Sequence, residues 1–179
     1  LAANRVALVF HQYDELRLFF GVHNKYKRPS DFIKRVLETA RKELDAMVQT
    51  IDNYVICEQF AKMLAANKVG WAAAKAYTKK KAEMVAAAGW YGIAGFAWSA
   101  AVEVSAAEWS ELVDRIEATI HTAPNRTRHA MNQALICIGC MPEQTAAVKA
   151  TAKRIGVVEV DHGDTASKTP AAIPYIAKM

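Results

Sequence analysis

Tyr54 and Glu58 lie four residues apart, one turn of a helix, so their side chains share a face. A carboxylate beside an aromatic ring suits a cationic substrate. The ring quadrupole attracts the cation, and the carboxylate balances positive charge as it develops. A seam tyrosine next to a solvated glutamate has the same spacing, and on spacing alone that reading is the favoured one. Arg126 and Arg128 follow Pro124 at the start of a helix, with His129 and Asn132 just behind. Arginine there is unfavourable for the helix dipole. A phosphate or carboxylate partner accounts for the placement, and so does a salt bridge to a neighbouring helix.

Other candidate chemistry is thinner. Cys137 and Cys140 make a CxxC pair, but zinc needs two further ligands and no second CxxC or paired histidine exists. A redox pair belongs at a helix N-terminus, and these cysteines end a helix. They read as reduced packing residues. His11, His23, His121, His129 and His162 are scattered, and no Ser/His/Asp set, P-loop or dinucleotide fingerprint occurs. No metal and no cofactor is expected. The 159–169 segment holds Asp161, His162, Asp164, Thr165 and Lys168. It reads as a structural loop that caps the last helix, with a metal or phosphate site as the alternative.

The 179 residues carry a net charge of +5, unevenly spread. Residues 1–81 hold 15 Lys/Arg against 8 Asp/Glu; residues 82–179 hold 8 against 10. A basic half points to a polyanionic partner or to a basic solvated surface. Three cysteines without framework spacing fit a reducing, cytoplasmic setting. No secretory signal layout opens the chain. It begins on Leu1 without a Met, so residues upstream are expected.

The elements that must position these residues are helices. The periodicity predicts helices over about 2–21, from Pro29 and Ser30 through Met47, over 52–66 and over 68–80, the last ending in Lys79, Lys80 and Lys81. Cations there also oppose the helix dipole, worth about 0.3–1 kcal/mol each. Residues 84–102 carry no charge. The run is long enough for a membrane span, but that reading is rejected because it is mostly Ala and Gly. A central helix packed on several sides fits better. Ser105 and Glu108 form a capping box for the next helix, and Pro124 and Pro142 open two more. Gly156 stops the second of these, and Pro170 opens a short last helix. The only strand-like run is 157–160. The expected fold is all-α, one domain over 1–179. Helix pairs recurring about every 40 residues favour a HEAT-like solenoid of antiparallel pairs over a closed bundle.

Several segments together resemble the DNA alkylation repair (AlkD-like) HEAT-repeat family. They are the run from Pro124 to Gly139, the run from Val158 to Pro170, Tyr175 to Lys178, Asp14 to Arg17, and Ile51 to Glu58. The likeness is specific in the C-terminal third, and the family's first repeat or two have no counterpart here. The resemblance implies an α-α superhelix with a basic, concave DNA-binding face. Active members release N3- or N7-alkylated purines without flipping the base into a pocket. They use a Trp and an Asp one helical turn apart, an Arg on a later helix, and a further Trp.

On that resemblance, the Trp/Asp pair falls on Tyr54 and Glu58. Glu58 is then the catalytic carboxylate, and Tyr54 and Trp90 contact the substrate. The family Arg should fall in the 84–102 helix, which has no Arg or Lys at all. The expected partner is duplex DNA, alkylated or branched. Lys25, Lys27, Arg28, Lys79, Lys80, Lys81, Arg126 and Arg128 are its expected phosphate contacts. A non-catalytic DNA-binding solenoid and a protein-interaction scaffold stand as alternatives.

Overall fold

The computed structural model describes residues 18, 25, 28–32, 35, 38–68, 70–99 and 102–178. The helix expected over 2–21 and Lys27 lie outside the described residues, Leu18 of that helix excepted. The chain divides into two compact units, Leu1–Met47 and Val48–Met179. In the first, α1 (Pro29–Phe32) is a single turn, and α2 (Glu38–Gln49) begins with an acidic residue and runs across the boundary. Arg41 and Asp45 pair along α2 at 3.8 Å. Lys25 and Arg28 are exposed.

The second unit holds α3 (Tyr54–Ala65), α4 (Gly70–Tyr77), α5 (Glu83–Ser99), α6 (Ala106–Thr119), α7 (Asn125–Gly139), α8 (Thr145–Ile155) and α9 (Ala172–Lys178). No strand occurs among the described residues, and Val157 of the strand-like run is exposed. Asn53 starts α3 from an extended conformation, its side-chain oxygen accepting the Ile56 N–H at 3.0 Å. Ser105 caps α6 in the same way through the Glu108 N–H at 3.3 Å. The Glu108 carboxylate also reaches Lys75 of α4 at 2.7 Å. Pro142 does not open α8 directly. It sits in a turn, and the helix starts at Thr145, whose hydroxyl donates to the Gly139 and Met141 carbonyls at 2.9 Å each. Gly156 ends α8 with φ +72°, a conformation that favours glycine.

The uncharged run becomes the centre of this unit. Helix α5 packs on α7, α3 and α4. Its side chains are buried nearly all round, from Val85 to Ala97. A helix apolar on every side needs neighbours on every side. Small residues set the approach: a Cβ on Gly92 would sit 3.0 Å from the Ala74 Cβ. No helix of the described residues is long and apolar enough to cross a membrane. Trp71 fills the corner between α5 and α6, edge-on to Phe96 and to Trp109 at 5.4 Å each. Helix α8 packs on α6, with Arg154 forked onto Glu117.

Candidate functional site

Three helical stripes meet around one cavity. Helix α3 contributes Glu58, Ala61 and Ala65; α5 contributes Tyr91, Gly95 and Trp98; α7 contributes His129, Gln133, Cys137 and Cys140. Each set follows the three- and four-residue spacing of one helix face. Lys62 and Tyr175 complete the rim. The cavity encloses about 780 Å³. Its lining combines small residues, among them Ala61, Ala65, Ala94 and Gly95, with a few polar ones, among them Glu58, Tyr91, His129 and Gln133, the mixed lining of a ligand site.

Tyr91 lies between the two halves of that polar cluster. Its hydroxyl is 2.7 Å from Nδ1 of His129. Burial, and then the charge of Glu58 beside it, push its pKa well above the usual tyrosine range. The hydroxyl therefore stays protonated, with one hydrogen to give. Burial first, then His162 and Arg126, lower the pKa of His129, so its ring is neutral at physiological pH. His129 stands edge-on to His162 at 5.6 Å, and His162 bonds the Thr169 hydroxyl at 2.9 Å. The 159–169 loop thus backs the cavity.

Tyr54 is stacked by a cation of the protein itself. The Arg126 guanidinium carbon lies 4.6 Å from the centre of the Tyr54 ring. Such a stack at a partly exposed site contributes about 0.5–1 kcal/mol. The Arg126 backbone N–H is taken by Glu83 at 2.6 Å. That carboxylate gives the N-terminus of α7 the negative charge its dipole favours.

The structure thus brings Glu58, Tyr54 and Arg126 together and leaves other expected residues elsewhere. Trp90 is 2 % exposed and does not line the Glu58 cavity; the tryptophan that does is Trp98, 64 % exposed. The reason is register: Trp90 and Tyr91 are adjacent on α5, about 100° apart around the helix. Lys79, Lys80 and Lys81 are exposed beyond the end of α4. Arg128 is occupied: its Nη1 donates to the Glu159 carbonyl at 2.8 Å and its Nη2 to the Ala123 carbonyl at 3.0 Å. It is a tie for the loop, not a free phosphate contact. Arg128→Ala is expected to cost about 1.5–3 kcal/mol in urea unfolding, the range for hydrogen bonds that involve a charged group. Amide exchange in 159–169 should quicken.

The loop is held by its own hydrogen bonds and by α7, with one difference from expectation. Asp161 does not cap the last helix; its carboxylate accepts the Gly163 N–H at 2.8 Å, within the loop. Asn125 holds the loop to α7 by a reciprocal pair of 2.7 Å bonds with the Asp161 backbone. Cys137 is buried, with its thiol pushed up to about 11 by burial and Cys140. Cys57 is buried too, its thiol pushed up to about 12. Neither is a reactive thiolate at neutral pH. Among the described residues no group of three His, Cys, Asp or Glu is placed to hold a metal.

Sequence reasoning missed Tyr91 and Gln133. The signal for Gln133 was present: Arg126, His129, Gln133, Cys137 and Cys140 repeat at three and four residues. A polar stripe on a helix flanked by core residues marks a face that is not simply buried.

Comparison with known proteins adds the following. A family described as "Initiator Rep protein, WH2" matches residues 12–62, less than a third of the chain. An uncharacterized protein of Listeria monocytogenes is 41% identical over 73 residues, 40% of this chain and 32% of that protein. One of Listeria innocua is 38% identical over 73 residues, with the same shares. The chain spans about a third of the length of these relatives. A solved structure is similar with a TM-score of 0.69 and 22% identity, over 76% of this chain and 60% of that one. It is described as "a new family of proteins related to the HEAT-like repeat DNA glycosylases with affinity for branched DNA structures". The fold of this chain is therefore an all-α HEAT-like one, in agreement with the resemblance drawn from the sequence.

Proposed function

We propose that this chain binds duplex DNA, branched duplexes above linear ones. The observation that carries the reading is the run Lys79, Lys80 and Lys81, exposed and without a carboxylate partner among the described residues. Three adjacent cations on a fold similar to that of proteins with affinity for branched DNA supply the phosphate contacts such binding needs. Arg126 and Lys62 add positive charge near the Glu58 cavity.

Binding is favoured over base excision by one contact. The Tyr54 ring already carries Arg126 on one face. The aromatic group that would meet a cationic base is engaged within the protein.

A second reading keeps the glycosylase chemistry, supported by the size of the cavity at Glu58. In that reaction the C1′–N bond of an N3- or N7-alkylated purine breaks, and its electron pair leaves with the base, which becomes neutral. Glu58 stabilises the cationic sugar until water adds at C1′ and loses a proton.

Affinity for a four-way junction should exceed that for linear duplex and fall steeply with salt. The logarithmic slope should lose about 0.9 for each lysine of 79–81 replaced by alanine. Affinity that stays flat from low to moderate salt would sink DNA binding and leave a protein scaffold. A base-release assay on methylated duplex, with Glu58→Gln as control, tests the second reading: full release by that variant removes Glu58 from it.

A further inference from the structure

A second cavity, of about 290 Å³, shares no lining residue with the Glu58 cavity. Its charged wall residues are Lys80, Lys81 and Arg115, and no Asp or Glu lines it. A concave site with three cations and no carboxylate carries a focused positive field.

Arg115 is the unusual member. It is half-buried on α6, where a guanidinium is costly unless an anion compensates it. No carboxylate forms an ion pair with it among the described residues. Burial lowers its pKa, opposed by Glu111 one turn back on the same helix. The protein holds it by other means. Its guanidinium carbon lies 5.0 Å from the centre of the Trp90 ring. Its Nη2 donates to the Thr78 hydroxyl at 2.9 Å and to the Thr78 carbonyl at 3.2 Å. The stack fixes the plane of the fork, and the Thr78 bonds fix its rotation in that plane. Both are made with one nitrogen and a flat face. A fork held in this way has its remaining donors set for an oxyanion.

We propose that this cavity is a phosphate-binding subsite, with Arg115 as the fork and Lys80 and Lys81 as charges on the same oxyanion. The ligand is a phosphate group, carried either by a nucleic acid or by a small phosphorylated molecule. Only the first source rests on the DNA-binding reading. The subsite also accounts for the buried Trp90, whose ring is the platform that orients the fork.

The experiment uses the whole chain and inorganic phosphate as probe. Thermal unfolding is followed while phosphate replaces chloride at constant ionic strength. The unfolding temperature should rise and saturate, as for a ligand that binds the native state alone. Lys80→Ala with Lys81→Ala should abolish most of the rise, with little change in chloride, since both residues are exposed. Arg115→Lys keeps the charge but loses the fork, and should weaken phosphate by about tenfold. Should that variant fold poorly, ³¹P line broadening with the lysine double variant reads the same affinity. No excess of phosphate over chloride, or an equal excess in the lysine variant, overturns the subsite.

A labelled DNA junction distinguishes the sources. If Arg115→Lys, which lies outside the lysine run, weakens the junction and phosphate together, the phosphate is DNA's; if it weakens phosphate alone, the ligand is a small phosphorylated molecule. Wild-type chain that takes phosphate but no DNA would sink the DNA reading and leave the subsite standing.

Discussion

Gly89→Ala is expected to cost about 3 kcal/mol, the upper part of the range for overpacking a core. A Cβ at position 89 would lie 2.4 Å from the Thr78 backbone N and 2.8 Å from the Ala74 carbonyl oxygen. These are backbone atoms at the end of α4, so no rotamer change relieves them. Helix propensity pulls the other way, since alanine in place of glycine inside a helix gains about 1 kcal/mol. The sign of the result therefore reports packing alone. Urea unfolding should show a lower midpoint with an unchanged slope. A stabilised variant would mean that α4 and α5 do not approach as described. Gly92→Ala is the milder companion, because its nearest contact would be the Ala74 Cβ, at 3.0 Å.

Trp90→Ala is expected to cost about 3–5 kcal/mol, the usual loss for a buried tryptophan. Its ring is fully packed and carries Arg115 on its face, so deletion opens a void and strands a half-buried cation. Trp98→Ala, at an exposed rim position, should change stability by only about 0.5 kcal/mol. Its effect should appear in ligand binding at the Glu58 cavity. Measured side by side by unfolding, the two variants separate the buried tryptophan from the rim tryptophan. Equal losses of stability would contradict the placement of α5.

Most helices of the second unit were legible because they leave a periodic stripe, an end signal or both. Ser105 and Gly156 stand where the sequence puts them. Glu58 and Tyr54 were legible for the same reason, as neighbours on one helical face. What spacing cannot encode is rotation about the helix axis when a segment has no polar face. In the uncharged α5 every position looks alike, so the sequence could not tell that Tyr91 faces Glu58 while Trp90 faces the core. Partner choice between helices was equally hidden. Arg126 and Tyr54 are 72 positions apart, and only packing of α7 beside α3 and α5 stacks them. Arg128 illustrates the converse: a basic residue two positions from Arg126 faces the loop and gives both terminal nitrogens to carbonyls.

The central position of α5 has a consequence for how this protein can be divided. In an ordinary repeat array, a terminal piece can be trimmed and the rest survives, because each repeat touches only its neighbours. Here one rod of Ala, Gly and aromatic residues touches helices that precede it and helices that follow it in the chain. A cut before α5 leaves α3 and α4 without their main partner; a cut after it leaves the rod's α7 face open to water. Either fragment presents a broad apolar surface of the kind that drives self-association. The second unit is thus expected to be indivisible in expression, its fragments insoluble singly and recoverable only when both halves are made together.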